Sequence, residues 1–310
     1  MKNNYLAIDG GTTNTRIALV CGGEIIAKEL IAIGSKDNID GNTEYKNAIK
    51  DGIQGLLMEN GLSESQITAI IASGMITSDY GLYEVKHLAA SVGLAELSGG
   101  MKRAVIPEIC EIPFYFVPGV IVNNGEFDTD MMRGEETEIM GLADTYGTDY
   151  AYLLPGSHSK LITLDETGRI DNLKTFLSGE MFSALAKNTI LRGTVDINRS
   201  DFDPEYLIKG YEISVKCGIN EALFKTRILK NIFSRSDLEC YSFYLGAVFA
   251  GEIQAIKNCG KKGVVIGGKD ALKNPIAEIL TQKTDLKIIT VSEDLTEICT
   301  ALGAIRIFCA

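Results

Sequence analysis

Short blocks of apolar residues separated by small polar residues open the chain, and this pattern predicts strands joined by tight turns. The expected strands are Tyr5–Asp9, Thr15–Cys21 and Glu24–Ile33. The runs between them are Gly10-Gly11-Thr12-Thr13-Asn14 and Gly22-Gly23, which are typical of β-hairpins. Apolar residues then recur at helical spacing from Thr43 to Asn60, and Gly61 favours a helix end there.

Farther along the chain, the pattern alternates between strands and helices. Strands are expected at Ile67–Ala72, Phe114–Val117, Val120–Val122, Tyr150–Leu154, Lys160–Asp165, Gly263–Ile266 and Leu286–Val291. Helices are expected at Ala89–Leu97, Met131 to Tyr146, Ala271–Gln282 and Leu295–Phe308, and between Glu180 and Asn258 with interruptions near Gly193, Pro204 and Gly218. This alternation, with its paired hairpins, predicts an α/β fold with mixed sheets.

The hairpin arrangement occurs twice, which indicates two domains related by a weak internal duplication. Pro155-Gly156-Ser157-His158-Ser159 lies between two expected strands, as the glycine-rich turn near the N-terminus does. The length of 310 residues also favours two domains. We place these domains at 1–130 and 131–310, and we leave open whether the terminal helix packs back on the first.

Composition and charge narrow the classes of function. The chain has 30 Lys and Arg against 41 Asp and Glu, a net charge of −11 without a basic cluster, which argues against nucleic acid or an anionic membrane as a partner. Its seven cysteines are scattered singly, which favours reduced thiols over disulfides or a zinc site. The chain shows no secretory leader and no apolar run of the ~20 residues that a membrane span needs, so we expect a cytoplasmic protein. A site for an anion must therefore build its positive potential locally.

The first candidate site is the turn that begins at Asp9. A carboxylate at a strand end can hold Mg²⁺, and glycines and hydroxyls after it can approach phosphate oxygens closely. The turn residues are Gly10, Gly11, Thr12, Thr13 and Asn14. Their spacing matches neither a P-loop nor a dinucleotide-binding fingerprint. For this segment taken alone, a plain polar hairpin turn is an equal alternative.

Two further turns belong to the same hypothesis. The second turn comprises Gly156, Ser157, His158, Ser159 and Lys160. Its amides, hydroxyls, imidazole and ammonium group could clamp a polyphosphate together with the first turn. Gly267 and Gly268 end an apolar strand, where the base and ribose of a nucleotide could approach the backbone. Taken alone, His158 and the Gly-Gly turn are better explained by structural roles.

The fourth candidate is an acidic stretch at the helix expected from Met131. Its residues of interest are Arg133, Gly134, Glu135 and Glu136, preceded by Asp128 and Asp130. One carboxylate could orient and deprotonate a sugar hydroxyl, and the arginine could bind a substrate carboxylate. The alternative is an acidic helix start that the helix dipole favours. The glycine is costly inside a helix, and this cost weighs towards a functional role.

In their order along the chain, these motifs resemble the sugar kinase, actin and heat-shock-chaperone ATPase superfamily. Three of them are similar to the 2-dehydro-3-deoxygalactonokinase family, namely Met132-Arg133-Gly134-Glu135-Glu136-Thr137, Pro155-Gly156-Ser157-His158-Ser159-Lys160 and Ser178-Gly179-Glu180. The similarity follows the whole chain in order and length. It implies a two-domain actin-like ATPase fold of the ribonuclease H-like type, with an interdomain nucleotide cleft.

The resemblance also implies ATP-dependent phosphorylation of a sugar acid, 2-dehydro-3-deoxy-D-galactonate, at its 6-hydroxyl. The cofactors would be ATP and Mg²⁺, with Asp9 organising the metal. The nucleotide contacts would be Asp9, Gly11, Thr12, Thr13, Asn14, Gly156, Ser157, His158, Ser159, Gly267 and Gly268. Arg133 and Glu180 would lie at the substrate, although Ser178-Gly179-Glu180 taken alone is better explained by helix capping. The catalytic candidates would be Glu135, Glu136, Asp128, Asp130 and Lys160, the last neutralising charge on the transferring phosphoryl group.

Three alternatives stay open at this point. The first is a kinase of the same architecture that acts on another small metabolite, such as an amino sugar or pantothenate. The second is an ATP-hydrolysing activator or assembly protein, and the third is a nucleotide-sensing regulator without catalysis. The cluster around Arg133 favours a kinase, because an ATPase needs no carboxylate clamp, and the intact Asp9 weighs against the regulator. The expected partner is a small-molecule sugar acid, and a homodimer is left open.

Overall fold

The fold is described by a computed structural model for residues 3–35 and 42–310. Met1, Lys2 and residues 36–41 lie outside the described residues. Apart from these gaps, the chain divides into two compact units. The first comprises residues 1–147, 165–172 and 294–310, and the second comprises 148–164 and 173–293. These bounds differ from 1–130 and 131–310, and they group the terminal helix with the first unit.

The first unit is built on a six-stranded mixed sheet with the order β3-β2-β1-β4-β7-β6. Its strands are β1 (Asn4–Gly10), β2 (Thr15–Cys21), β3 (Glu24–Ile31), β4 (Ala69–Gly74), β6 (Lys102–Ile106) and β7 (Cys110–Phe116). β1, β2 and β3 are antiparallel neighbours, whereas β4 runs parallel to β1 and β7 parallel to β4. The parallel register pairs Asp9 with Ser73 and Gly10 with Gly74, so the ends of β1 and β4 meet at one edge of the sheet.

Helices cover both faces of this sheet. Successive residues of β1 point to opposite sides, so neighbouring residues of this strand contact different helices. Leu6 and Ile8 belong to one buried apolar cluster with residues of α1 (Thr43–Glu59), including Ile49. Between them, Ala7 packs with Ala301 of α10 (Glu293–Phe308). The sheet that carries Asp9 is therefore fixed from both sides.

The remaining elements of the first unit correct two predictions. They are a small sheet of β5 (Leu88–Ala89), β8 (Val120–Asn123) and β9 (Thr129–Met132), two 3₁₀ turns (Glu64–Gln66 and Met75–Thr77), α2 (Leu94–Gly100) and α3 (Glu135–Tyr146). The helix expected at Ala89–Leu97 is wrong in its first half, because Leu88–Ala89 pairs with β8. The helix expected from Met131 starts later, because Thr129–Met132 pairs with β8 and Gly134 has a φ of 110°.

The second unit contains a five-stranded sheet with the order β12-β11-β10-β13-β14. The strands are β10 (Tyr150–Leu154), β11 (Ser159–Leu164), β12 (Ile170–Phe176, the first three residues of which are grouped with the first unit), β13 (Gly263–Ile266) and β14 (Lys287–Thr290). The helices are α4 (Ser178–Asn188), α5 (Pro204–Cys217), α6 (Ile219–Asn231), α7 (Asp237–Val248), α8 (Ala250–Lys257) and α9 (Asp270–Lys283). The helical region expected between Glu180 and Asn258 is confirmed, whereas β6, β9 and β12 were not predicted.

The same strand arrangement occurs in both units, as the paired hairpins predict. β1 is antiparallel to β2 and parallel to β4, and β10 is antiparallel to β11 and parallel to β13. In each unit, a hairpin turn therefore lies at the same edge as the end of a parallel strand. Among the described residues, no helix combines the length and apolar character needed to cross a bilayer.

Candidate active site

Backbone contacts hold the first turn, which joins β1 to β2. The Gly11 N–H donates to the Asn14 carbonyl at 2.9 Å, and the Gly11 carbonyl accepts from the Ser35 N–H at 3.1 Å. A Cβ on Gly34 would lie 2.5 Å from the Thr13 nitrogen, so only glycine lets this segment lie against the turn. The side of the turn that remains exposed carries Thr12 and Thr13. Their hydroxyls are thus presented to solvent by a braced backbone, as a phosphate site requires.

Asp9 ends β1 beside this turn and is half-buried. Its Oδ2 lies 3.4 Å from Nη1 of Arg16. Burial raises the pKa of Asp9, the Arg16 charge opposes this effect, and the nearby charge of Glu135 adds to it. The half-buried carboxylate therefore pays a desolvation cost that a bound cation would reduce.

Three glycines bring the start of α3 next to Asp9. Gly74 has a φ of 84°, and a Cβ there would lie 2.6 Å from the Gly10 carbonyl oxygen and 3.2 Å from Oδ1 of Asp9. A Cβ on Gly134 would lie 3.0 Å from the Gly74 Cα. Side chains at these positions would separate the elements. Sequence reasoning missed Gly74, and its only signal was a glycine two residues after the expected apolar strand Ile67–Ala72.

The first turn of α3 carries three glutamates with different surroundings. Glu135 is half-buried, and its Oε2 accepts the Arg133 N–H at 3.0 Å. Glu136 is fully buried, its oxygens lie 2.9 and 2.8 Å from the Gly134 nitrogen, and burial raises its pKa to about 8. Burial also raises the pKa of Glu138 to about 8, with further contributions from the charges of Glu135 and Asp9. We call Asp9, Glu135 and Glu138 the acidic cluster.

The acidic cluster could bind Mg²⁺ only if water or phosphate supplied most of the ligands of the ion. Among residues 3–35 and 42–310, no three His, Cys, Asp or Glu side chains are placed to hold a metal together. Oε1 of Glu138 is buried and makes no hydrogen bond within the described part of the chain. Mg²⁺ commonly uses one or two carboxylates and completes its shell with water and phosphate. Asp9, with an orphaned carboxylate oxygen nearby, suits that kind of binding.

The guanidinium group of Arg133 is hydrogen-bonded to residues of its own unit. Nη1 donates to the carbonyl and the Oγ1 of Thr77, both at 2.7 Å. Nη2 donates to the Val85 carbonyl at 2.9 Å and lies 3.2 Å from Nδ1 of His87. Burial lowers the pKa of Arg133. The predicted two-point contact with a substrate carboxylate would have to replace several of these bonds, and it stays a prediction.

Asp128 and Asp130 lie on the β8–β9 hairpin. The Asp128 N–H donates to the Gly125 carbonyl at 3.1 Å, and Oδ1 of Asp130 accepts the Met131 N–H at 2.8 Å. Asp128 is exposed, whereas Asp130 is half-buried on a strand paired with Val122. Their candidacy as catalytic bases stays a prediction.

The second turn lies between β10 and β11, and the start of α4 contacts its backbone. The Gly156 N–H lies 3.3 Å from Oγ of Ser159, and the Glu180 N–H donates to the Ser157 carbonyl at 3.1 Å. A Cβ on Gly179 would lie only 2.2 Å from the Gly156 carbonyl oxygen. The motif Ser178-Gly179-Glu180, predicted at the substrate through Glu180, thus directly supports the second turn.

The basic groups of the second turn differ in exposure. His158 is exposed, and its Nε2 lies 2.9 Å from Oε2 of Glu180, which is also exposed. Lys160 is buried, and its Nζ lies 3.4 Å from the His158 carbonyl oxygen. The imidazole is therefore available to a ligand at the surface of the turn. The ammonium group lies inside the unit, and its predicted role at the transferring phosphoryl group stays a prediction.

The Gly-Gly turn lies directly against the second turn. The Gly267 N–H donates to the Leu153 carbonyl at 2.9 Å. Gly268 has a φ of 77°, and a Cβ there would lie 2.8 Å from the Pro155 carbonyl oxygen. Lys273, a buried residue that sequence reasoning missed, donates to the Val291 carbonyl and lies 3.4 Å from the Gly268 carbonyl oxygen. Its position in an ordinary helical stretch gave no signal.

The predicted site residues thus form two groups, one in each unit. The first unit brings together Asp9, Gly11, Thr12, Thr13, Asn14, Glu135 and Glu136. The second unit brings together Gly156, Ser157, His158, Ser159, Glu180, Gly267 and Gly268. Residues far apart in sequence converge in both groups, as a binding site requires.

Comparisons with known proteins identify a family. A family model described as 2-keto-3-deoxy-galactonokinase matches residues 9–302. A Rhizobium meliloti (strain 1021) protein named probable 2-dehydro-3-deoxygalactonokinase DgoK1 is 29% identical over 194 residues. That match spans 62% of this chain and 59% of the relative, which is less than two thirds of the relative's length.

Solved structures share the fold. A candidate 2-dehydro-3-deoxygalactonokinase from Sinorhizobium meliloti has a TM-score of 0.79 at 24% identity, with 97% of this chain and 98% of that chain covered. The Clostridium difficile activator of 2-hydroxyisocaproyl-CoA dehydratase, solved with bound ADPNP, has a TM-score of 0.55 at 16% identity, with 99% and 93% covered. The α/β fold of the actin-like ATPase type that the sequence predicts is confirmed.

Proposed function

The chain belongs to the 2-keto-3-deoxy-galactonokinase family, and from this premise we propose that it transfers the γ-phosphoryl group of ATP to the 6-hydroxyl of 2-dehydro-3-deoxy-D-galactonate. The observation that carries the proposal is the family match over residues 9–302, which includes every predicted site residue. The activity would belong to galactonate catabolism in the cytoplasm.

Two features of the geometry support nucleotide binding by residues of each unit. In the first unit, the braced turn after Asp9 presents the hydroxyls of Thr12 and Thr13. In the second unit, the turn from Gly156 to Ser159 lies against the Gly267-Gly268 turn, where a ribose and base would meet backbone without side chains. Asp9 would hold Mg²⁺, which when bound neutralises charge on the phosphate oxygens.

Among the carboxylates proposed as the base, the surroundings favour Glu135 over Glu136. Glu136 is fully buried and bonded to the Gly134 nitrogen, so it has no exposed oxygen to offer a sugar hydroxyl. Glu135 is half-buried beside Asp9, which suits a group that must reach both the substrate and the phosphoryl transfer. A base must lie within hydrogen-bond reach of the proton that it removes.

Paired substitutions test this choice. We expect Glu135→Gln to lower the single-turnover rate by about 10²-fold or more, as removal of a general base does. Glu136→Gln retains an oxygen for the Gly134 N–H, and we expect it to lower the rate only a few-fold. Asp128→Asn and Asp130→Asn provide the comparison for the rival bases. A mild, equal loss in all four variants would remove each of them as the base.

The proposed activity is tested by ADP release from Mg-ATP across a panel of sugar acids and neutral sugars. We expect release that depends on the acceptor and that is fastest with 2-dehydro-3-deoxy-D-galactonate, with its 6-phosphate as product by mass spectrometry. Activity confined to neutral sugars, amino sugars or pantothenate would contradict the sugar-acid assignment. Steady ADP release without an acceptor would instead indicate an ATP-hydrolysing protein.

A further inference from the structure

Glu252 is a buried carboxyl group that the proposed reaction does not use. It lies on α8, which packs against β11, and only 1% of its surface is exposed. Neither carboxyl oxygen makes a well-formed hydrogen bond to any described residue. The hydroxyls of Ser178 and Ser159 are nevertheless close enough to act on its pKa. A buried polar group without firm partners is rare in folded proteins and calls for a reason.

Both hydroxyls belong to the parts that shape the second turn. Oγ of Ser159 lies 3.3 Å from the Gly156 nitrogen at the opposite end of the turn. Ser178 begins α4, whose next residue, Gly179, lies against the Gly156 carbonyl. Glu252 therefore lies beside Ser159 and Ser178, the hydroxyl residues at these two supports of the second turn.

The surroundings favour the neutral form of this carboxyl group. Burial raises its pKa to about 7, and the two hydroxyls oppose that effect only in part. The elements that pack against α8 are α5, α7, α9 and β11, and their buried cations are Lys160 on β11 and Lys273 on α9. Lys273 is paired with Asp270, and Tyr211 on α5 is bonded to Gln254. Burial is the largest influence on the pKa of Glu252, so an ionised carboxylate here carries a desolvation cost that the two hydroxyls offset only in part.

We infer that Glu252 is a positioning residue for the second turn, and that its neutral carboxyl group bonds through Ser159 and Ser178 to keep Gly156–Ser159 in the shape that binds nucleotide phosphate. A protonated carboxyl group offers one donor and retains acceptor capacity, so it can bond to one hydroxyl in each direction. The inference rests on the proposed function in one respect, since it takes the ligand of this turn to be ATP.

The inference makes nucleotide affinity depend on pH through a residue that does not touch the nucleotide. As pH rises through about 7, Glu252 ionises, its donor is lost and a buried charge appears. The folded pKa lies above the usual 4.5, so the stability from this group is present at pH 4.5 and below and is lost as pH rises through about 7. The unfolding free energy from this group should therefore fall between about pH 4.5 and 7 and then level off, whereas affinity for ATP should fall as pH rises through about 7 and the acceptor site should be unaffected.

The test compares Glu252→Gln, which is neutral at every pH, with the wild type and with Glu205→Gln, an exposed control on α5. ATP and ADP affinities are measured by calorimetry from pH 5.5 to 9, together with KM for ATP, KM for the acceptor and kcat. The ratio of wild-type to Glu252→Gln affinity cancels the ionisation of the nucleotide itself. We expect this ratio to fall several-fold between pH 6 and 8.5, with the acceptor KM unchanged.

A ratio that stays constant with pH would overturn the inference, as would an equal change in the two KM values. Glu252→Ala is expected to weaken ATP binding at all pH values, and Glu252→Gln keeps the test valid if the alanine variant does not fold.

Calorimetry also separates this inference from the proposed function. Nucleotide binding with the expected pH dependence, but without transfer to any sugar acid, would overturn the kinase assignment alone. Absence of nucleotide binding by the wild type would overturn both.

Discussion

The two hairpin turns share a strand arrangement but differ in the charges around them. Each joins antiparallel strands beside a parallel one, β1–β2 next to β4 and β10–β11 next to β13. The first turn lies beside the acidic cluster of Asp9, Glu135 and Glu138, and burial raises the pKa of two of its members. The second turn carries hydroxyls and the exposed imidazole of His158.

Under the proposed function, this difference would let a chain with a net charge of −11 bind anions. The first turn is suited to phosphate that arrives with a cation, since the ionised carboxylates beside it would attract Mg²⁺ and repel bare phosphate. The second turn is suited to phosphate itself, through backbone amides and hydroxyls. The repeated strand arrangement would thus support two complementary kinds of phosphate binding.

The largest expected effect follows from removing the carboxylate of the first turn. Asp9→Asn keeps the shape of the side chain and removes the charge that would hold the metal, so we expect kcat/KM for Mg-ATP to fall by about 10²–10³-fold. Steady-state kinetics at several Mg²⁺ concentrations measure this. Glu29→Gln, at an exposed position on β3, is the matched control. Activity within a few-fold of the wild type would show that the first turn is not the cation-dependent one.

A smaller effect is expected from glycines that support each turn. An alanine Cβ at Gly34 would lie 2.5 Å from the backbone of the first turn, and one at Gly179 would lie 2.2 Å from that of the second. We expect each variant to raise the KM for ATP by about tenfold, through displacement of the turn rather than loss of a contact. KM measurements on both variants, with folding checked by circular dichroism, test whether the turns contribute equally.

Gly55→Ala and Gly251→Ala are the controls, since a Cβ at either helical position would meet nothing within 4 Å. We expect these two variants to be as stable as the wild type or more stable by up to about 1 kcal/mol, with unchanged KM. If Gly179→Ala left the KM for ATP unchanged while Gly34→Ala raised it, only the first turn would bind nucleotide.

The turns were predictable from sequence because their signals are local. Alternating apolar residues around Gly10-Gly11 and Pro155-Gly156 gave the hairpins, and β2, β10 and β13 have the predicted bounds. Tertiary pairing overrode a local signal at Met131, where helical spacing predicts a helix but the residues pair with β8. The strand ends there because Gly134 takes a positive φ that places it against Gly74.

The supports of the turns were not predictable, because they come from residues distant in sequence. Gly74 is required only because the folded chain brings it close to Gly10 and Asp9. In the sequence Glu252 looks like an exposed polar residue of a helix, and it is buried because α8 packs against β11. Sequence could propose the residues that would face a ligand, since ligand chemistry restricts residue type. It could not name those that hold them, since the close contact of two distant segments leaves no local pattern.

The smallest expected effect concerns a hydrogen bond behind the first turn. The hydroxyl of Thr15 donates to the Ile33 carbonyl at 2.9 Å, so its 3.0 Å contact with Tyr45 must be one in which the tyrosine donates. Burial raises the pKa of Tyr45 to about 12, which keeps this donor protonated at neutral pH. We expect Tyr45→Phe to lower the unfolding free energy by about 1 kcal/mol, measured by urea denaturation, and to change the KM for ATP less than twofold.

Tyr244→Phe is the counterpart in the second unit. The Tyr244 hydroxyl donates to the Phe182 carbonyl at 2.8 Å, and neither residue belongs to the second turn. It should cost a similar unfolding free energy with no effect on nucleotide binding. The first turn is held mainly by backbone contacts from Ser35 and Gly34, so loss of one side-chain bond should leave its shape intact. A tenfold rise in the KM for ATP of Tyr45→Phe would show that the first turn depends on a buried side chain to keep its shape. This is the role that we propose for Glu252 at the second turn.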